Sequence, residues 1–240
     1  MWLAYAVGGV EARAGGDGAT ATRLWRTGLA LCDHFPADDP RRAASLVQLG
    51  LGAPDAASAA ELFTRAEAAW CETRATWLAR LPAGGRARSS TFHLRLGRKH
   101  PGGYDHLAQA AHERLCEAGR AAALGNLAGA LIALGRHDEA AARLDQALVL
   151  RRAGFGHREA GVGSLLRLGA DLARFKADGD GAMRLEDAAR AIAADPVVYD
   201  VVRLRRETGR RYDDLWRLRA AIYLSPIEAT AALRPAAPGA

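Results

Sequence analysis

A recurring interval constrains this chain more than any single motif. Leu127, Ala128 and Leu131 return 41 residues later as Leu168, Gly169 and Leu172, and Leu144 and Ala147 return at the same interval as Leu185 and Ala188. Within the first copy, Leu124, Leu127, Ala128, Leu131 and Leu134 follow helical spacing and Gly135 ends the run. A second run then carries Ala140, Leu144, Ala147 and Leu148. Apolar residues three and four apart share one helix face. Two such runs on either side of a glycine break specify a helical hairpin. Small residues such as Ala128 let the two backbones approach, and larger ones such as Leu144 fill the space beside the crossing. Repetition at a fixed interval points to an array of hairpins that bury one another's apolar faces.

Composition removes the competing classes. Alanine accounts for 55 of the 240 residues, and valine and isoleucine are scarce. Strand-like alternation is nearly absent, which excludes a large β architecture. Half the residues are hydrophobic and 25% are charged, too apolar a mixture for disorder. No apolar run approaches the length of a membrane-spanning helix. The net charge is +6, and 31 of the 33 basic residues are arginine.

The stretch from Ala121 to Arg152 carries Gly125-Asn126-Leu127-Ala128, Leu134-Gly135-Arg136 and Asp138-Glu139-Ala140. It resembles a tetratricopeptide repeat. The extension Leu150-Arg151-Arg152 through Phe155-Gly156 is similar to the longer, kinesin-light-chain-like subclass, with its period of about 42 residues. The resemblance implies an all-α, right-handed solenoid of five or six antiparallel hairpins with degenerate ends. It would occupy residues 1–230, followed by a flexible tail at 231–240. The units are clearest at 121–154 and 162–195. A third, at 38–81, has its turn shortened by about three residues relative to the others. Gly9, Ala21, Trp25 and Gly28 sketch a first unit. Residues 85–118, split by His100-Pro101-Gly102-Gly103, read as a divergent middle unit or an inserted binding loop. Residues 197–223 read as a final helical pair turning at Thr208-Gly209-Arg210. The family binds peptides or protein surfaces in a concave groove lined by first helices, so the expected function is a non-enzymatic adaptor.

Candidate contacts follow from the same register. In the subclass, asparagines near the middle of each first helix touch the ligand backbone. Asn126 keeps that feature, while Gln48 and Arg167 stand at the comparable places. Asn126 also reads as a hydrogen bond to a neighbouring helix. Arg167 and Arg174 are two turns apart and share a face. Arg88 and Arg95 repeat that spacing with Phe92 near their edge. A guanidinium fork grips carboxylates with two parallel hydrogen bonds. These residues therefore suit an acidic peptide or acidic protein surface, against the plainer reading of a solvated basic helix face.

Other chemistry is poorly supported. Residues 86–100 hold five Lys or Arg, two His and no acid. One aromatic and no recognisable nucleic-acid motif argue against nucleic acid as the partner, and the segment lacks the apolar face needed at a membrane. His112 and Cys116 have i,i+4 spacing, but no further ligand completes a metal site. No phosphate loop, dinucleotide motif or catalytic constellation is present, and no cofactor is implied. Phe63, Trp70 and Trp77 read as a core-packing stripe. Cys32, Cys71 and Cys116 are widely spaced without a CxxC pair, which fits reduced thiols in a cytoplasmic protein. The start, Met1-Trp2-Leu3-Ala4-Tyr5, has no basic region of a secretory signal. Two further readings stay open: a regulatory module associated with nucleic acid or signalling, and a self-assembling repeat protein whose ends leave apolar surfaces near Trp2, Trp25 and Trp216.

Overall fold

A computed structural model describes residues 1–79, 106–195, 218, 220–222 and 224–227. Arg88, Phe92 and Arg95, most of the 197–223 pair, Trp216, and the side chains of Trp77 and His112 lie outside the described residues. Among the described residues the fold is all-α, with no strand. The helices are α1 (Trp2–Ala14), α2 (Gly18–Leu31), α3 (Pro40–Leu51), α4 (Ala56–Ala79), α5 (His106–Ala133), α6 (His137–Phe155), α7 (Ala160–Phe175) and α8 (Gly179–Ala194). A 3-10 turn, Cys32–His34, separates α2 from α3. None of the described helices is long and apolar enough to cross a membrane.

Local chemistry sets the ends of these helices. Asp17, Asp39, Glu159 and Asp178 stand at the N-caps of α2, α3, α7 and α8, each accepting a backbone N–H of the first turn. Pro40 opens α3, where its missing N–H costs nothing. Three connections share one stop. The N–H groups of Asp17, Arg136 and Asp178 reach back to Ala12, Leu131 and Ala173 at 2.9 Å, and the preceding residue sits in the left-handed region. This is the Schellman arrangement, which satisfies the last carbonyls of a helix and turns the chain sharply. Its left-handed residue is Gly16 after α1 and Gly135 after α5, but Ala177 after α7, at φ 59°.

Helices adjacent in sequence are adjacent in space: α1 pairs with α2, α3 with α4, α5 with α6 and α7 with α8. Each second helix also touches the following first helix, and α5 lies against both α3 and α7. Small residues permit the close crossings. A Cβ added at Gly9 would lie 2.2 Å from the Trp25 ring, and one at Gly50 would lie 2.3 Å from the Phe63 ring. At Gly169 the nearest side chains, Leu144 and Leu185, would be 3.4 Å away. The large partner thus follows the glycine by sixteen residues in the first and fourth hairpins and by thirteen in the second. That difference is the shortened turn before α4.

Trp25, Phe63, Trp70, Leu124, Leu165 and Leu168 are fully buried in the resulting interior. Ion pairs stitch the outer faces of α4, α5 and α6. Arg74 holds Glu113 at 2.5 Å and Glu117 at 2.8 Å, while Glu67 meets Arg120 at 2.9 Å and Arg143 at 3.6 Å.

Helix α5 bears on residues 85–118, which the sequence leaves open between a divergent repeat and an inserted loop. It runs unbroken from His106 to Ala133, so residues 106–118 continue the first helix of the 121–154 unit and do not form the second helix of a separate unit. The segment from His106 to Ala133 contains no proline, and its alanines and leucines favour continued helix. Gly119 does not stop it, because that glycine receives the Trp70 ring, 2.5 Å from where its Cβ would be. Packing fixes the conformation that propensity alone disfavours.

Candidate functional site

The residues expected to line a binding face divide into three environments. Gln48, on α3, is buried, and its Nε2 donates to the Ala6 carbonyl of α1 at 3.4 Å. Trp25 Nε1 donates to the same carbonyl, also at 3.4 Å. Gln48 is thus occupied inside the protein, between two helices, and contributes to packing.

Asn126 has a different role. It lies on α5 with no exposed surface, and its Nδ2 donates to the backbone carbonyl of Pro226 at 2.9 Å. Pro226 belongs to a stretch near the C-terminus in which residues 218, 220–222 are helical and 224–227 are not. Leu218, Ala220, Ala221, Ile222, Leu224, Ser225 and Ile227 are all buried. The same core holds Leu218, Ala221, Ile222, Leu224 and Ile227 together with side chains of the earlier helices. Ile227 packs beside two glycines. A Cβ on Gly125 of α5 would meet Leu165 Cδ2 of α7 at 2.4 Å and Ile227 Cγ2 at 3.3 Å, and one on Gly161 of α7 would meet Glu159 Oε2 at 2.8 Å, Arg151 Nε at 3.0 Å and Ile227 Cδ1 at 3.1 Å. The inner sides of α5 and α7 therefore present an amide donor beside a glycine-lined recess, which Leu165, Arg151, Glu159 and Ile227 fill together.

Beside the recess is a buried ion pair. Arg151 of α6 donates to Glu159 through Nε at 2.9 Å and Nη2 at 2.7 Å, and its Nη1 donates to the Ala118 carbonyl of α5 at 3.1 Å. Glu159 also caps α7 through the Val162 N–H at 3.2 Å. Burial by itself would raise the Glu159 carboxyl. The Arg151 hydrogen bonds and charge, with the first N–H groups of α7, outweigh burial and hold it below the ordinary value. One buried pair thus joins α5, α6 and α7 at the edge of the recess.

The remaining candidates are exposed. Arg167 lies on the solvent side of α7 and has no ion pair among the described residues. Arg174 is also exposed, but its guanidinium is held by Asp171, at 2.8 Å, and by Glu186 of α8. The two share an exposed side of α7, with only one in an ion pair. A separate open groove of about 480 Å³ runs between α4 and α5, floored by Leu127 and Leu131, with Arg65, Arg136 and Arg143 at its rim. Arg136 there is paired with Glu139 at 2.7 Å.

Among the described residues, no three metal-binding side chains come together. Burial, reinforced by the adjacent Glu117 charge, pushes the Cys116 thiol up to about 12. It stays protonated at neutral pH, which suits neither a nucleophile nor a metal ligand. Trp2 and Trp25 are buried and offer no exposed stacking surface.

Sequence reading offers Asn126 both as a ligand contact and as a hydrogen bond to a neighbouring helix; its amide bonds Pro226 of the same chain, a contact that reading does not name. Residues 218–227 carry an apolar pattern, Leu218, Ala221, Ile222, Leu224 and Ile227, interrupted by Ser225-Pro226. That pattern is compatible with one more hairpin, and nothing local connects it to a helix 100 residues earlier. No family model, curated protein or solved structure matches the chain.

Proposed function

We propose that this protein is a helical-repeat adaptor of tetratricopeptide type, a solenoid of hairpins whose first helices form a face that holds polypeptide segments. The observation that carries the reading is Asn126, which binds a backbone carbonyl of a segment lying across α5 and α7. Recognition through a backbone carbonyl does not depend on the partner's side chains, and the adjoining recess supplies selectivity by shape. The sixteen-residue offset between small and large crossing residues in two hairpins supports the repeat assignment. Exposed Arg167, near the middle of α7, adds a cation with which an acidic group on a protein partner can pair.

The test uses the full chain with a photo-crosslinking residue in place of Arg167, compared with one in place of Arg190. Arg190 is exposed on α8 and, among the described residues, is paired with Asp187 at 2.8 Å. A protein partner crosslinked from position 167 and not from 190 is expected. Its affinity should fall at least tenfold in Arg167→Glu while helicity is unchanged. Equal crosslinking from both positions, or recovery that depends on intact nucleic acid, would overturn the reading.

A further inference from the structure

The groove lined by α4, α5 and α6 is a second surface, and it uses neither Asn126 nor Arg167. The ion pairs of Arg74 with Glu113 and of Glu67 with Arg120 show that α4 and α5 run antiparallel. The first turns of α4 therefore lie beside the last turns of α5, and the groove of about 480 Å³ opens there. Its two ends differ. Ala57, at the start of α4, is exposed, and Leu134, just past the end of α5, is 39% exposed. Leu131 and Leu127 continue that apolar floor inward. Further along α4 comes Arg65, exposed and without an ion pair among the described residues. Arg143 of α6 reaches the same level of α4, 3.6 Å from Glu67. That is beyond hydrogen-bond distance, and Glu67 already accepts two hydrogen bonds from Arg120, at 3.2 and 2.9 Å. The third arginine, Arg136, is occupied by two hydrogen bonds of 2.7 Å to Glu139.

We infer that this groove docks a short segment of a partner protein in which aliphatic residues adjoin a carboxylate. The aliphatic side chains cover Leu134 and Leu131, and the carboxylate lies between Arg65 and Arg143. Both guanidinium groups have donors uncommitted among the described residues, and a carboxylate takes such donors in pairs. Glu61, one turn before Arg65 and unpaired among the described residues, sets the order. It repels an acid at the Leu134 end and leaves the arginine end to receive it. With Glu139 neutralised by Arg136, the groove keeps two cations against one carboxylate. Exposed ion pairs are individually weak, so binding requires the aliphatic and acidic parts together. The apolar floor also separates such a segment from a phosphate-bearing ligand, which would leave Leu131 and Leu134 uncovered.

The test uses the full chain and three short fluorescent peptides. One has leucines in one half and aspartates in the other, the second has lysine in place of aspartate, and the third has serine in place of leucine. The leucine–aspartate peptide should bind at least tenfold more tightly than either of the others, and less tightly as salt rises. Arg65→Glu combined with Arg143→Gln should weaken that binding at least fivefold. Both side chains reach solvent, and circular dichroism checks that helicity is unchanged. Leu134→Ser, at an exposed position, provides a second variant and should weaken binding at least threefold. Arg167→Glu should leave it unchanged, which separates this groove from the face of the adaptor reading. Equal binding of the three peptides, or no binding of the leucine–aspartate peptide at millimolar concentration, overturns the inference. So does a loss in Arg167→Glu without one in the Arg65 and Arg143 variant. None of these results decides the adaptor reading, which stands or falls on its own crosslinking test.

Discussion

Glu159 and Arg151 show how much depends on single side chains here. Their side chains are 7% and 6% exposed, so each charge relies on the other. Removing one partner of such a pair leaves the other uncompensated, at a cost of about 3–5 kcal/mol. Arg151→Ala should approach that loss, read from the urea midpoint at pH 7. The pH dependence has a definite sign. The folded carboxyl titrates below its unfolded value of 4.5. Its contribution is therefore fully present above that value and is lost as pH falls toward the folded pKa. Glu159→Gln should be less stable at neutral pH and show a flatter decline between pH 5 and 3 than wild type. An unchanged acid limb would refute the pair's role. Ala177 gives the opposite kind of prediction. It occupies the left-handed position that glycine fills after α1 and α5. An L-residue there carries a strain of about 1 kcal/mol, so Ala177→Gly should stabilise the protein by about that amount in thermal or urea unfolding.

Helix crossings carry the next level of specificity. Gly50 and Phe63 meet so closely that a methyl group on the glycine would overlap the ring. Gly50→Ala gains up to about 1 kcal/mol of helix propensity and loses about 1–3 kcal/mol to overpacking. A net destabilisation is expected. Phe63→Leu in the same chain should relieve part of it, giving a coupling of at least about 0.5 kcal/mol in a double-mutant cycle. Strict additivity of the two changes would contradict direct packing. This level was the most legible in the sequence. Glycine and its large partner lie sixteen or thirteen residues apart in three hairpins, so local pattern and local contact coincide. The length of α5 was less legible: the boundary read between 118 and 121 falls beside Gly119, which stays helical because the Trp70 ring from α4 needs the space. Gln48 shows the same limit of local pattern. Its position along α3 matches that of Asn126 along α5, but its amide donates to an α1 carbonyl already shared with Trp25. Sequence register locates a residue on a helix; the neighbouring helix decides whether it remains available.

At the scale of the molecule, α1 to α8 contact mainly their neighbours in sequence. On the repeat reading proposed above, connectivity of this kind lets the chain open from its ends, with each unit's stability set by itself and its nearest interfaces. The bond from Asn126 to Pro226 departs from that rule by joining positions 100 residues apart. Such a link was not readable from local pattern, since neither end predicts the other. It binds α5, α7 and the 218–227 segment into one unit while leaving α1 and α2 outside it. Hydrogen exchange on the full chain should therefore show α5 and α7 opening together, at a higher free energy than α1 and α2. Asn126→Ala leaves the Pro226 carbonyl buried without this donor, a cost of about 1–3 kcal/mol. Protection should fall by up to that amount in α7 and α5 and stay unchanged in α1 and α2. A uniform loss across all the described helices would mean that the chain behaves as a single cooperative body, and the Asn126–Pro226 link would then not mark a boundary within it.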